Sequence, residues 1–548
     1  MMSDAEYSFT IDEFEAYLLS GLGTNYLYDE KKKDYDAISK GVIDRYEIEK
    51  SDEKILLTCI YKNVDREVSV CRELRYFDEK SQLKAKTKER IHLRNTYFKK
   101  EDLGELRKLL SKEKEIDFSN SFFEDCSFGK VDLKASFQHV IFNGNVNFGE
   151  STFHDRVNFE GSVFSVDAFF GDASFICGAR FKMVLFKGES DFSKCAFISS
   201  NAKFEEAHFC KKANFQRSLF VEPAFFNGAE FDKYANFKEC RFGKYTVFDN
   251  TCFYDIADFE YCRFDETGKF NHIQAKTAFF TKCHFDGNFD ITGDVDYISF
   301  RGSAVLGKLE IEVKNEHGER LKDFTAIDIY QLRLLGDLDL DWKKHNLPNA
   351  IYLSNALYNS TRREELEKEI RDTATDKAFG QRSLKKILFK TVDFNEIYDQ
   401  FLTLYDAYQR NHSDRRQENE AYREYMRARG LSSVENQKEG TARKVNEIKR
   451  PLLRGATSVL DLIGGFGTKP GRIFSEMIII PLILGLLYFV FFSELSFIES
   501  LQNSYVAFLT LGLGLDSAID DPFRTILIME GFVGAFFMVY FAFSLAKR

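Results

Sequence analysis

The chain has 548 residues and a formal net charge of −10. With 44% hydrophobic and 30% charged residues, it is neither a disordered chain, nor a collagen, nor a protein that lies wholly within a membrane. The negative net charge argues against nucleic acid as a partner. The 10 Cys form no CxxC pair, which predicts free thiols in a reducing compartment rather than a disulfide scaffold.

Composition divides the chain into four segments. Residues 1–115 mix short apolar stretches with Lys- and Glu-rich ones and are predicted to form a small α+β cytosolic domain without a recognisable site. Residues 116–345 are repetitive, residues 346–455 are predicted to form a helical hairpin and linker, and residues 456–548 hold two long apolar runs. We therefore predict a multidomain protein with a cytosolic β-solenoid, a helical linker and a membrane domain.

The middle of the chain repeats Phe with a period of 11 residues. Two interleaved series begin at Phe148 and Phe153, and the spacing between successive Phe alternates between 5 and 6. The residue two positions before each Phe of these series is Ala, Ser, Cys, Thr or Val, with Gly268 as the exception. Such alternation predicts short strands with both side chains pointing inward, and because one short repeat cannot bury its own Phe, neighbouring repeats must stack.

The repeated motif, as in Ala213-Asn214-Phe215 and Ala235-Asn236-Phe237, resembles the pentapeptide-repeat family. The resemblance implies a right-handed quadrilateral β-helix over residues 116–345. Four faces of alternating five and six residues give 22 residues per coil and about ten coils, while a flattened coil of 11 residues remains open. Five Cys occupy the small position and are predicted to be core residues: Cys126, Cys195, Cys240, Cys262 and Cys283.

Within residues 346–455, the stretch from Phe394 to Tyr408 has apolar residues at helical spacing. The pattern breaks near residues 411–414 and then resumes, which predicts a helical hairpin. Basic residues from Arg443 to Arg454 lead toward the membrane domain. They are expected to contact anionic lipid headgroups or to be an ordinary basic flank of a membrane span, and both alternatives stay open.

Two apolar runs, residues 473–492 and 523–545, are each close to the length that crosses a bilayer. Lys469 and Arg472 precede the first run and Lys547 and Arg548 follow the second, whereas the segment between them is acidic. The positive-inside rule therefore predicts a multi-pass protein of the inner (plasma) membrane with both chain ends in the cytoplasm.

Between the runs, a short amphipathic helix over residues 500–509 is predicted to precede Thr510, Leu511, Gly512, Leu513 and Gly514. The order span, short helix, TxGxG, span is similar to two-transmembrane potassium channels of the bacterial kind. The resemblance implies a homotetramer in which Thr510–Gly514 form the selectivity filter for a permeating monovalent cation, K⁺, with no other metal or cofactor. The two Gly also allow the alternating backbone that turns successive carbonyls toward one axis.

Other residues of this region receive roles from the same arrangement. Leu513 stands where the family usually has Tyr, which puts strict potassium selectivity in doubt more than cation permeation. Asp516 is expected to concentrate cations at the outer mouth. Glu530, an ionisable group inside a span, is either functional or a buried carboxylate that hydrogen-bonds the back of the short helix. Gly531 and Gly534 are either a gating hinge or sites of close helix packing.

From these patterns we predict a tetrameric, potassium-permeable cation channel whose solenoid senses or docks an unidentified cytosolic ligand or protein. The alternative is a membrane-anchored pentapeptide-repeat scaffold that conducts nothing. The sequence has no HExxH, no Cys and His paired at metal-ligand spacing and no P-loop, so no enzyme is predicted.

Overall fold

A computed structural model describes the protein, and its described residues fall into a β unit before residue 351 and a helical unit after residue 390. The described residues are 42–51, 55–63, 66–77, 90–104, 106, 115–314, 326–340, 394–411, 415–435, 459–463, 465–491, 495–510 and 521–546.

Three strands open the β unit as an antiparallel sheet: β1 Val42–Lys50, β2 Ile55–Asn63 and β3 Arg66–Tyr76. Most later strands have only two or three residues, because the chain turns a corner after each pair of inward side chains. They are β4 Arg90–His92, β5 Thr96–Phe98, β6 Glu115–Asp117, β7 Phe122–Phe123, β8 Cys126–Ser127, β9 Asp132–Ser136, β10 Ile141–Phe142, β11 Val146–Asn147, β12 Thr152–Phe153, β13 Val157–Asn158, β14 Val163–Phe164, β15 Ala168–Phe169, β16 Ser174–Phe175, β17 Ala179–Arg180, β18 Leu185–Phe186, β19 Ser190–Asp191, β20 Ala196–Phe197, β21 Ala202–Lys203, β22 His208–Phe209, β23 Ala213–Asn214, β24 Leu219–Phe220, β25 Ala224–Phe225, β26 Glu230–Phe231, β27 Ala235–Asn236, β28 Arg241–Phe242, β29 Thr246–Val247, β30 Cys252–Asp258, β31 Arg263–Phe264, β32 Gly268–Phe279, β33 His284–Phe285, β34 Phe289–Ser299, β35 Ala304–Val305, β36 Leu309–Lys314, β37 Ala326–Asp328, β38 Arg333–Leu334 and β39 Leu338–Leu340.

The strands stack in parallel into a solenoid of about 10 turns. Along one face, Ile141 pairs with Val163 and Val163 pairs with Leu185, so one coil takes 22 residues. The predicted β-helix is therefore confirmed, and the flattened coil of 11 residues is wrong. From Gly268, which pairs with Phe289, the coils shorten by one or two residues and the strands lengthen as two sides merge into one.

Four ladders of stacked Phe fill the interior. In one ladder Phe181, Phe204 and Phe226 lie parallel, with ring centroids 4.9 Å apart at each step. Neighbouring ladders meet edge to face, as do Phe204 and Phe215 at 5.3 Å and 88°. Stacking along the axis and edge contacts across it are both favourable aromatic geometries, so the period of the sequence is a direct image of the core.

The small residue before each Phe makes a recurrent hydrogen bond. The Ser162 hydroxyl donates to the Phe137 carbonyl at 2.5 Å, and the Cys195 and Cys240 thiols donate to the Phe170 and Phe215 carbonyls at 3.0 and 2.9 Å. These groups satisfy a buried carbonyl at a corner of the coil. The five Cys predicted as core residues are all buried, which confirms that prediction.

The antiparallel sheet of β1–β3 covers one face of the first coils. Its Ile55 and Leu57 are fully buried against outward-pointing Ile141, Val163 and Leu185 of the solenoid. The end of β3 also pairs in parallel with β5, so the solenoid stack already includes residues ahead of the predicted boundary at 116. This cover explains why apolar side chains occupy outward positions there.

The helical unit contains five helices: α1 Phe394–Asn411, α2 Arg415–Glu435, α3 Pro470–Phe491, α4 Phe497–Thr510 and α5 Asp521–Ala546. Helices α1 and α2 form the predicted hairpin, with Phe401, Leu404 and Tyr408 buried on one face. The apolar runs predicted at 473–492 and 523–545 lie in α3 and α5, and the short helix predicted at 500–509 lies in α4.

Helices α3 and α5 are long and apolar enough to cross a membrane. Only 22% of the most apolar stretch of α3 and 33% of that of α5 is buried within this chain. A core helix of a soluble domain would be mostly covered, so these exposed apolar surfaces favour contact with lipid or with other subunits.

Candidate functional site

Helix α4 begins beside the end of α3 and ends beside the middle of α5. Near its start, the ring of Phe497 meets the ring of Phe489 edge to face with centroids 5.6 Å apart. Near its end, Phe508 packs against Gly534, which lies close to the midpoint of α5. Its 14 residues span only about 21 Å, less than the roughly 30 Å core of a bilayer. Helix α4 is therefore too short to be a third span.

Hydrogen bonds hold α4 to the middle of α3. The Tyr505 hydroxyl donates to the Ile478 carbonyl at 2.7 Å, and the Ser504 hydroxyl donates to the Pro481 carbonyl at 2.9 Å. Pro481 lacks an N–H, so it interrupts the ladder of backbone bonds within α3 and changes how the carbonyls around it are used. These contacts fix both the depth and the rotation of α4 against α3.

Two Gly let α4 approach the long helices closely. A Cβ added at Gly534 would lie 1.8 Å from the Phe508 carbonyl oxygen, and one added at Gly485 would lie 3.0 Å from the Leu501 Cα. At Gly534 the structure thus has the close helix packing that the sequence left open beside a gating hinge. Gly531, the other candidate hinge residue, is buried in α5.

Glu530 joins all three helices. Its carboxylate accepts a hydrogen bond from the Tyr488 hydroxyl of α3 at 2.8 Å and another from the Ser504 hydroxyl of α4, and the Glu530 side chain is buried. The bond from Ser504 is the one expected of a carboxylate that supports the back of the short helix. Tyr488 and Ser504 were not singled out by the sequence, because partners 26 and 42 residues away leave no local pattern.

Thr510 is the last residue of α4, one position beyond the predicted end of the short helix. Its hydroxyl donates to the Val506 carbonyl at 2.5 Å, and its side chain is exposed. The remaining predicted filter residues Leu511, Gly512, Leu513 and Gly514, together with Asp516, lie outside the described residues. Their segment runs from Thr510 near mid-depth of the helical unit to the start of α5.

The connector ahead of α3, residues 459–469, touches the hairpin and the end of α5. Arg423 of α2 donates to Asp461 at 2.8 Å, and both side chains are largely buried. The Ser544 hydroxyl of α5 donates to the Gly467 carbonyl at 2.5 Å. The Arg423 guanidinium, together with burial, also lowers the pKa of Lys469. A movement of α2 would therefore act directly on the start of α3 and the end of α5.

The solenoid offers a separate polar pocket of about 570 Å³ on its long strands. Its floor is formed where Gly293 has φ +131°, and a Cβ there would lie 2.1 Å from the Ile273 carbonyl oxygen. Asp249, His272 and Glu312 line it. A pocket with this lining suits a small polar ligand rather than an apolar one.

Fold and site together define a β-solenoid protein with a C-terminal helical region that includes two candidate membrane helices. The family described as Pentapeptide repeats (9 copies) matches residues 137–185, which lie within the coils of strictest period. No curated protein and no solved structure matches the chain.

Proposed function

We propose that the protein is a tetrameric cation channel of the membrane, gated through its N-terminal solenoid. The observation that carries the proposal is the depth of α4, which starts beside the end of α3 and stops beside Gly534 at the middle of α5. A chain that only anchors a scaffold needs two spans and an external loop, not a helix held halfway between them.

The return path supplies the physical argument. If α3 and α5 cross the bilayer, the chain after Thr510 starts near mid-depth and has ten residues before α5 begins at Asp521. Backbone groups that are not in a helix are tolerated at that depth only if they are buried in protein or line a water-filled cavity. The sequence Thr-Leu-Gly-Leu-Gly at the start of this path is suited to line such a cavity with carbonyl oxygens.

Electrostatics favour a cation. The carboxyl end of α4 carries the partial negative charge of the helix dipole at the point where the filter sequence begins. Asp516, Asp520 and Asp521 follow within the same loop and would surround the outer mouth in four copies. One subunit contributes a quarter of each oxygen ring, so a homotetramer is required, and K⁺ is the cation that the filter sequence suits.

Gating is proposed to act through the connector. In this topology both chain ends are cytoplasmic, and residues 459–469 lie where the first span begins and the second ends. The Arg423–Asp461 pair links them to the hairpin. The chain ends within two residues of α5, so in this sequence the input to the pore comes through residues that precede α3.

The proposal is tested with purified full-length protein in liposomes. We expect a tetramer in detergent and a K⁺ flux, with a reversal potential displaced toward that of K⁺ when Na⁺ is on the other side. Gly512→Ala is expected to abolish the flux without changing the oligomer, because the added Cβ disfavours the backbone that the filter needs.

Gly471→Ala is the matched control, since a Cβ at Gly471 meets nothing within 4 Å. This variant should keep the wild-type flux. A current that reverses near zero would make the pore a non-selective cation channel. A monomeric protein without flux, in which Gly512→Ala changes nothing measurable, would instead identify a membrane-anchored scaffold.

A further inference from the structure

A cluster of metal-binding side chains lies on the outside of the solenoid, far along the chain from the helical unit. His208, Cys210 and Asp232 bring one nitrogen, one thiol and one carboxylate within 4.8 Å of one another. The His208 Nε2 lies 3.0 Å from Asp232 Oδ1, 3.9 Å from Cys210 Sγ and 4.0 Å from Glu230 Oε2. The first three side chains are half-buried, so solvent reaches them.

The geometry of the solenoid builds this cluster as a square. Inward Phe209 separates the outward side chains of His208 and Cys210, and inward Phe231 separates those of Glu230 and Asp232 in the next coil. His208 pairs directly with Glu230. Neighbouring coils are about 4.8 Å apart, so the four outward side chains converge without any movement of the backbone.

His208 also breaks the character of its column. The paired outward residues before it, Ile141, Val163 and Leu185, are apolar and covered by the N-terminal sheet. Cys210 packs at the edge of that same cluster. The donors therefore begin on the coil where the cover ends.

We propose that His208, Cys210 and Asp232 bind Zn²⁺, with Glu230 or water as the fourth ligand. Imidazole, thiolate and carboxylate are the ligands that zinc takes in proteins, and a tetrahedral site with these bond lengths places ligand atoms about 3.5 Å apart. The distances of 3.0 and 3.9 Å bracket that value. Binding joins two adjacent coils at the edge of the N-terminal sheet.

The site departs from the sequence-based expectation that no metal binds besides the permeating cation. A search for Cys and His pairs at zinc-finger spacing misses it, because its ligands come from two coils whose equivalent residues are 22 apart. The local signal is only His208 and Cys210 on either side of an inward Phe, which places both on one face of a strand.

The test uses full-length protein in detergent, stripped of metal with a chelator and titrated with Zn²⁺ and, separately, Co²⁺. We expect one Zn²⁺ per chain and a Co²⁺ spectrum with a thiolate-to-cobalt charge-transfer band. Cys210→Ser should remove the band, and His208→Ala should weaken Zn²⁺ binding by at least about tenfold. Cys177→Ser, which alters another half-buried thiol of the solenoid, should leave both unchanged.

A measurement on the wild-type chain keeps the test independent of how the variants fold. Zn²⁺ should slow alkylation of Cys210 and not of Cys177, as read by mass spectrometry of the labelled peptides. An ion pair of His208 with Asp232 and no metal affinity would give no saturable binding and no protection. Binding that survives Cys210→Ser, or a Co²⁺ spectrum without the thiolate band, would equally overturn the proposal.

Discussion

The close contact between α4 and α5 predicts that Gly534→Ala damages the helical unit. A Cβ at this position would lie 1.8, 2.6 and 2.9 Å from the carbonyl oxygen, carbonyl carbon and Cα of Phe508. All three are backbone atoms, so no side chain can rotate away. The two helices must separate by on the order of 1.5 Å before the contact becomes ordinary.

The magnitude follows from two opposing effects. Overpacking of a tight interface costs roughly 1–3 kcal/mol, whereas Ala in place of Gly inside a helix returns about 0.5–1 kcal/mol. Gly471→Ala, in the same kind of apolar helix, meets nothing within 4 Å and has no overpacking cost. We therefore expect Gly534→Ala to be less stable than Gly471→Ala by about 1–3 kcal/mol.

Thermal unfolding of the full-length variants in detergent, followed by the helical circular dichroism signal, measures this difference. Under the channel proposal, the same shift of α4 displaces the filter, so Gly534→Ala should also lose K⁺ flux where Gly471→Ala keeps it. Equal midpoints for the two variants would show that α4 does not lie against Gly534. The argument from the depth of α4 would then be refuted as well.

Two further predictions concern other parts of the molecule. Arg423→Ala and Asp461→Ala should each destabilise the helical unit, and the double variant should cost less than their sum by about 0.5–3 kcal/mol, because the pair is largely shielded from solvent; additive effects in unfolding experiments would mean that the ion pair does not hold the connector. Burial lowers the pKa of His139 to about 3, so only the unfolded chain gains a proton as the pH falls below 6.5. At pH 5 this destabilises the β unit by about 2 kcal/mol relative to pH 7, and His139→Gln should remove that part of the pH dependence of the denaturant midpoint; an unchanged dependence would show that the imidazole is protonated in the folded state.

The sequence alone predicts the solenoid because every coil repeats one requirement. An inward Phe such as Phe204 contacts the ring one coil before and the ring one coil after, so its position is repeated along the whole stack. The two apolar helices were equally predictable, since twenty consecutive apolar residues have few other uses. In each case the signal is redundant, and single departures do not erase it.

Contacts made once in the molecule were not predictable in this way. The bonds of Glu530 with Tyr488 and Ser504 join residues far apart in the chain, and nothing in the pattern repeats them. The covered face of the first coils left only a weak trace, apolar residues such as Val163 at outward positions. Such positions look like ordinary β propensity until the sheet that covers them is seen.

The division between inward and outward positions also indicates where function can reside in such a solenoid. Inward residues are fixed by their neighbours along the axis, and a change at one ring disturbs the rings on both sides. Outward residues have no such constraint, so a column keeps one character only where something covers it. The column through Leu185 and His208 changes from apolar to metal-binding across a single step. Because the backbone pairing is the same on both sides of that step, folding of the coil does not require the change, and the donors at and beyond His208 need a different explanation, which metal binding supplies.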